Sequence, residues 1–219
     1  MPVLNLEYGF LFSCNPGTGS TSVSNVLINQ CNSKWFPEKS IVIGKVFIEF
    51  KHGLLKHIKK YNLIDSKTFE NLFKFGFVRN PYNFLLSDYL RHIQWRELLE
   101  DTNSWVHQQP VAIERIKMAN QYSFQEYLKW KNKETTGIDI FFDSVECTDK
   151  VYKLEEMEEF INDFQQRFGI LLKMQHINKT KKETTIEANQ QLLTKDTIKY
   201  INEAYSPTFD RYNYSKLVI

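Results

Sequence analysis

The stretch that decides the fold runs Phe10-Leu-Phe-Ser-Cys-Asn-Pro-Gly-Thr-Gly-Ser-Thr-Ser-Val23. A short apolar run, Phe10–Phe12, gives way to the turn formers Asn15, Pro16 and Gly17. Beyond them Val23, Val26, Leu27 and Cys31 recur at helical spacing. The order is strand, tight turn, helix. Gly17 and Gly19 let the backbone approach a ligand closely, and Thr18, Ser20, Thr21 and Ser22 add hydroxyl groups. A loop entering a helix aims backbone N–H groups and the positive helix end at one point. Two readings fit this segment: a cradle for phosphate or sulfate, or a tight strand-to-helix turn with a capping Ser or Thr. A Walker A loop needs Gly-Lys-Ser/Thr, which is absent here, and the third glycine of the dinucleotide fingerprint is replaced by Ser22. An ordinary P-loop kinase or a nicotinamide enzyme is therefore disfavoured.

Outward from this loop, strands alternate with helices. Ile41–Phe47 is rich in β-branched residues and reads as a second strand, with Leu54, Leu55, Ile58 and Tyr61 marking a helix after it. Phe75–Arg79 reads as a third strand, and Asn80-Pro81 as a helix start, since Asn caps and Pro suits the first turn. The middle, Glu97–Gly137, reads as helices joined by loops. Ile138–Phe142 and Val151–Leu154 are further strand candidates. Met157, Phe160, Ile161, Phe164 and Phe168 form an amphipathic stripe stopped by Gly169, and Thr194 suits the cap of a last helix. The alternation implies an α/β fold around a central, mainly parallel sheet flanked by helices, where ligands sit at the carboxyl ends of strands.

Length and composition agree with a single domain over residues 1–219. The chain has 42% hydrophobic and 15% aromatic residues, which excludes wholesale disorder. Its formal charge of +2 argues against a protein that coats nucleic acid, but one or two placed cations suffice for a small anion. Cys14, Cys31 and Cys147 are too few and too scattered for a disulfide framework or a metal motif, and are expected as buried, reduced thiols. No run of about 18 apolar residues occurs, and the first residues lack a signal-peptide pattern. These features point to a soluble, cytoplasmic protein. His57 and His92 are expected as solvated helix residues, and Trp95, Trp105 and Trp130 as packing residues or stacking faces for sugars.

The second informative segment is Lys74-Phe-Gly-Phe-Val-Arg-Asn-Pro-Tyr-Asn-Phe-Leu-Leu-Ser-Asp-Tyr-Leu-Arg91. Arg79 ends a strand, and Ser87 follows about two turns into the next helix. An Arg supplies a fork of charged donors and a Ser a short neutral one, a pair suited to holding one phosphate. The alternative is an Arg in a salt bridge and a Ser packed on the sheet.

Together the segments P-x-x-G-[ST]-T-S and F-x-F-V-R-N-P-[YW]-x-x-x-x-S-x-Y resemble the sulfotransferases that use 3′-phosphoadenosine 5′-phosphosulfate (PAPS), especially the carbohydrate sulfotransferases and their bacterial relatives. Further landmarks resemble that family in order: Phe50-Lys-His-Gly-Leu-Leu-Lys-His-Ile-Lys59, Tyr152-Lys-Leu-Glu-Glu-Met157, His176-Ile-Asn-Lys-Thr180 and Asp210-Arg-Tyr-Asn-Tyr214. The resemblance implies a P-loop-like three-layer fold and transfer of a sulfuryl group from PAPS to a hydroxyl of a glycan or other small acceptor. The transfer it implies requires no metal; the charge balance and the lack of a long apolar run are what argue against a nucleic-acid partner and a membrane span. By resemblance, Gly17, Thr18, Gly19, Ser20, Thr21 and Ser22 hold the 5′-phosphosulfate, and Arg79 with Ser87 the 3′-phosphate.

One position departs from the family. Where it carries Lys after the loop proline, this chain has Gly17. Another cation substitutes, or turnover is slow, or the protein binds nucleotide without catalysis. Lys51, Lys179, Lys181 and Lys182 are the candidate substitutes, and the tract 179–182 is either a solvated loop or a lid over the donor. Asn83-Phe84 also departs, where relatives often carry Asp-Arg. His52, with Glu49 as the alternative, is the candidate general base. An imidazole titrates near neutral pH and suits removal of a hydroxyl proton, though a hydrogen-bonded surface His fits the position too.

Overall fold

The structure, a computed structural model, describes residues 2–44, 46–48, 53–174 and 184–218. The described chain begins with β1 (Val3–Asn5), β2 (Phe10–Ser13), α1 (Ser20–Cys31) and β3 (Lys34–Trp35). There follow β4 (Ile41–Ile43), β5 (Val46–Ile48), α2 (Leu55–Lys60), α3 (Ser66–Asn71) and β6 (Phe73–Val78). After α4 (Pro81–Gln94) come α5 (Pro110–Gln121) and α6 (Phe124–Asn132), then α7 (Phe142–Val145), β7 (Lys150–Lys153) and α8 (Met157–Phe168). The last helices are α9 (Lys195–Ala204) and α10 (Ser206–Arg211). The chain divides into two compact units. The first comprises Met1–Arg79 and Phe141–Asn178, the second Asn80–Ile140 and Lys179–Ile219.

The first unit is an α/β sandwich. Its five-stranded sheet has the order β3-β1-β2-β6-β7. β2 and β7 each run parallel to β6, whereas β1 is antiparallel to both β2 and β3. The sheet is mixed: its parallel part is the β2-β6-β7 half, where the two motifs lie, and β1 adds antiparallel pairing at the other side. Strand alternation splits its side chains between two cores. Phe10, Phe12, Phe75, Phe77 and Tyr152 pack on Val23, Val26 and Leu27 of α1 and on Phe160 and Phe164 of α8. Leu11 points the other way, into a cluster with Leu55 and Ile58 of α2 and Phe69 of α3. Helices thus cover both faces of β2, which is why its four residues are all buried.

Helix α8 shows which force decides an element here. It has no side-chain cap at its start. Burying Phe160 and Phe164 is worth roughly 3–6 kcal/mol together, against about 1 kcal/mol for an N-cap. Packing outweighs the missing cap, and Gly169 at φ 71° ends the helix where the stripe ends.

Two strand expectations are corrected. Ile41–Phe47 is not one strand: Gly44 adopts φ 59°, and the chain doubles back into a separate β4–β5 hairpin. Ile138–Phe142 forms no strand. The Ile138 N–H donates to the Ala204 carbonyl at 2.8 Å and the Ile140 N–H to Thr208 Oγ1 at 3.1 Å. Backbone groups satisfied by the ends of helices have no need of a ladder.

The second unit is helical. Tyr82, Leu85, Leu86, Tyr89 and Leu90 make α4 its centre, packed on Ala119 of α5, Phe124, Tyr127 and Leu128 of α6, Ile201 and Ala204 of α9, and Phe209 of α10. Asn80 caps α4, its Oδ1 accepting from the Tyr82 N–H at 3.0 Å, with Pro81 in the first turn. Among the described residues, no helix is long and apolar enough to cross a membrane.

Candidate functional site

The loop between β2 and α1 is tied down from below and open at its rim. Asn15 is buried and donates from Nδ2 to the Phe77 carbonyl of β6 at 3.3 Å. Thr18 is fully buried, and its hydroxyl donates back to the Asn15 carbonyl at 2.8 Å. That hydroxyl bond ties the loop to itself. Gly17 and Gly19 take left-handed conformations, φ 81° and 71°. Gly19 also passes close to the chain after β7: a Cβ there would lie 2.7 Å from Leu154 Cδ1. Both features favour glycine at that position: an L-residue is strained at this φ, and a Cβ would have to push the end of Leu154 aside.

Helix α1 starts at Gly19 with no side-chain cap and no acidic residue in its first turn. The Gly19 carbonyl accepts from the N–H groups of Ser22 and Val23 at 3.0 and 3.2 Å. The N–H groups of Gly17, Gly19, Ser20 and Thr21 meet no acceptor among the described residues. They are donors that an anion would satisfy, at the positive end of a helix of 12 residues. Gly17, Gly19 and Ser20 are half-buried and Thr21 is exposed.

Arg79 follows β6 directly, and its Nη1 donates to the Gly17 carbonyl at 3.3 Å. The parallel pairing of β2 with β6, Ser13 opposite Gly76, brings the ends of both strands to the same edge. A guanidinium thus rests on the loop at the residue that stands where the resembled family has its Lys. Lys74, at the other end of the motif, serves the fold instead. It is 4% exposed, and its ammonium meets the carbonyls of Leu72 and Phe69 and the carboxylate of Asp149 at 2.6, 3.2 and 3.1 Å. Three donors meet three acceptors.

Ser87 belongs to the second unit, on α4, and is 3% exposed. Its Oγ accepts from Arg91 Nη2 at 3.4 Å. Beside it lies a polar network that sequence reasoning missed. Asp88 takes Lys131 Nζ at 2.6 Å and the Tyr127 hydroxyl at 3.1 Å, and His92 Nδ1 lies 2.7 Å from the Asp88 carbonyl oxygen. Burial raises the Asp88 pKa, but the charges of Lys131 and His92 more than offset it and hold the carboxyl at about 2. Burial pushes the His92 imidazole below its usual value and the Tyr127 phenol above its own. His92 is 5% exposed, so the expectation of a solvated helix residue is corrected. The residue that buries it, Tyr127, lies 35 positions away, and no local spacing announces such a partner.

Burial pushes the Cys14 thiol up, and its sulfur lies 3.1 Å from Ser24 Oγ. Cys31 is buried and Cys147 half-buried, and none of the three forms a disulfide. A buried protonated thiol is a poor nucleophile. His52, Glu49, Lys181, Lys51, Lys179 and Lys182 lie outside the described residues. Among the described residues, no group of three or more His, Cys, Asp or Glu is arranged to hold a metal. A groove of about 470 Å³ in the second unit is lined by Tyr89, Leu90, Ile93, Ala188, Asn189 and Leu192, and none of the expected site residues lines it. No family model matches the chain, and neither does any curated protein or solved structure.

Proposed function

We propose that this chain binds PAPS on a P-loop-like fold and transfers its sulfuryl group to a hydroxyl of a glycan or other small acceptor. The observation that carries the reading is the α1 entrance. Four backbone N–H groups without acceptors among the described residues stand on a glycine-turned loop, with the Arg79 guanidinium on the Gly17 carbonyl. That is chemistry for an anion, and the ordered resemblance of the motifs names the anion.

In this reading the loop N–H groups hold the 5′-phosphosulfate, and Arg79 and Ser87 serve the 3′-phosphate. The acceptor oxygen attacks sulfur in line, and a new S–O bond forms as the bond from sulfur to the bridging phosphate oxygen breaks. The acceptor's proton passes to a base, for which His52 or Glu49 is proposed, and 3′-phosphoadenosine 5′-phosphate departs with the negative charge. Backbone donors fixed before the reaction stabilise that charge without reorganising.

Gly17 favours a second reading, a nucleotide-binding protein of the same fold without transfer. Incubation with PAPS carrying labelled sulfur and a panel of glycan acceptors separates the two. Labelled product that disappears in His52→Ala supports transfer through that base. Tight nucleotide binding with no labelled product on any acceptor supports the silent form. Absence of both refutes the proposal.

A further inference from the structure

Ser87 and Arg91 form a pair whose hydrogen-bonding needs the described protein leaves unmet. Both lie on α4, one helical turn apart, and a helical side chain at i+4 leans back toward residue i. The Ser87 hydroxyl is buried and accepts from Arg91 Nη2 at 3.4 Å. Its own proton has no acceptor among the described residues, and the Arg91 guanidinium meets no carboxylate there. The adjacent carboxylate, Asp88, is already taken by Lys131 at 2.6 Å. Arg91 also lies by the Trp95 ring, 5.9 Å from the guanidinium carbon. A buried hydroxyl proton and a half-exposed guanidinium without a carboxylate partner among the described residues lie side by side, and together they suit an anion.

We propose that Arg91 is a specificity-determining residue for a phosphomonoester held at Ser87. The inference rests on the reading of Ser87 as a ligand of the donor's 3′-phosphate. By occupying a lone pair of the Ser87 oxygen, Arg91 directs the hydroxyl proton to the phosphate. A phosphate oxygen accepting that proton lies within reach of the same guanidinium, whose remaining N–H groups match phosphate geometry. Arg91 thus acts twice, through Ser87 and by charge. Its effect is confined to ligands that carry a phosphate at this place.

Calorimetric titration of the full chain tests this with 3′-phosphoadenosine 5′-phosphate and with adenosine 5′-monophosphate, which lacks the 3′-phosphate. Arg91→Gln is expected to weaken the first about 10–100-fold, the range for losing a charge-assisted hydrogen bond, and to leave the second unchanged. Arg91→Lys is expected to fall between, since it keeps the charge but not the fork. In a Ser87→Ala background, Arg91→Gln is expected to cost less than in the wild type. Wild-type preference for the 3′-phosphorylated nucleotide that persists in Arg91→Gln overturns the inference and leaves the donor reading standing. Equal weakening of both nucleotides assigns Arg91 a structural role and also overturns it. A wild type that binds both nucleotides alike overturns the inference and the donor reading together. If Arg91→Gln lowers the unfolding midpoint, Arg91→Lys decides the question by the same criteria.

Discussion

Replacing Gly19 by alanine perturbs the loop at the point where fold and site meet. The backbone there holds φ 71°, and moving an L-residue into that region costs about 1–2 kcal/mol. The new Cβ would also stand 2.7 Å from Leu154 Cδ1. That methyl ends a flexible side chain, so the overpacking falls near the low end of its usual range, about 1 kcal/mol. The sum is about 2–3 kcal/mol, well inside the stability of an ordinary domain, so the variant stays folded enough to measure. Urea unfolding of Gly19→Ala, Leu154→Ala and the double variant separates the terms. The double variant is expected to recover about 1 kcal/mol relative to additivity, the packing share, while the backbone share persists. Because the N–H groups of Gly19, Ser20 and Thr21 move with the backbone, nucleotide binding is expected to fall further than stability alone requires. A Gly19→Ala protein within about 0.5 kcal/mol of wild type, with unchanged nucleotide affinity, would refute the geometry described for the loop.

Three further outcomes follow from the second unit. Asp88 has a folded pKa of about 2 against an ordinary value of 3.8, so its pairing stabilises the fold above pH 4 and is lost as pH falls toward 2. The difference is worth about 2 kcal/mol, and urea unfolding between pH 5 and pH 2 is expected to show a steeper loss for wild type than for Asp88→Asn. His92, held below its ordinary value of 6.5 by burial, acts with the same sign. The unfolded chain takes up that proton first, so stability declines as pH drops below 6.5. Asn80→Ala removes the acceptor of the Tyr82 N–H at the start of α4, and a loss of about 1 kcal/mol is expected in the same assay.

Much of this architecture was legible because short-range chemistry decided it. The Met157–Phe168 stripe and its Gly169 stop coincide with α8, and Asn80-Pro81 opens α4 as an N-cap pattern should. The strand–turn–helix order around Gly17–Ser22 is also as expected. The failures are places where a distant group or one dihedral overrode the local pattern. Gly44 turned a β-branched run into a hairpin. The acceptors for Ile138 and Ile140 came from residues more than sixty positions away. The strand β1, at three residues, was too short to carry a periodic signal. At the site, the glycines, hydroxyls and Arg79 were named from sequence. The burial of Thr18 and the contact of Arg79 with Gly17 were not; the latter arises where the parallel pairing brings the ends of β2 and β6 together. Arg91 had a signal, its i+4 spacing from Ser87, that acquires meaning once Asp88 is seen to be engaged elsewhere.

The central claim is that the α1 entrance and Arg79 hold a 3′-phosphorylated adenine nucleotide. Titration of the full chain with 3′-phosphoadenosine 5′-phosphate, adenosine 5′-monophosphate and ATP, repeated on Arg79→Gln, tests it most directly. Selective binding of the first nucleotide is expected, weakened at least about tenfold in the variant. Equal binding of all three, no binding of any, or an Arg79→Gln protein that binds as the wild type does would contradict it.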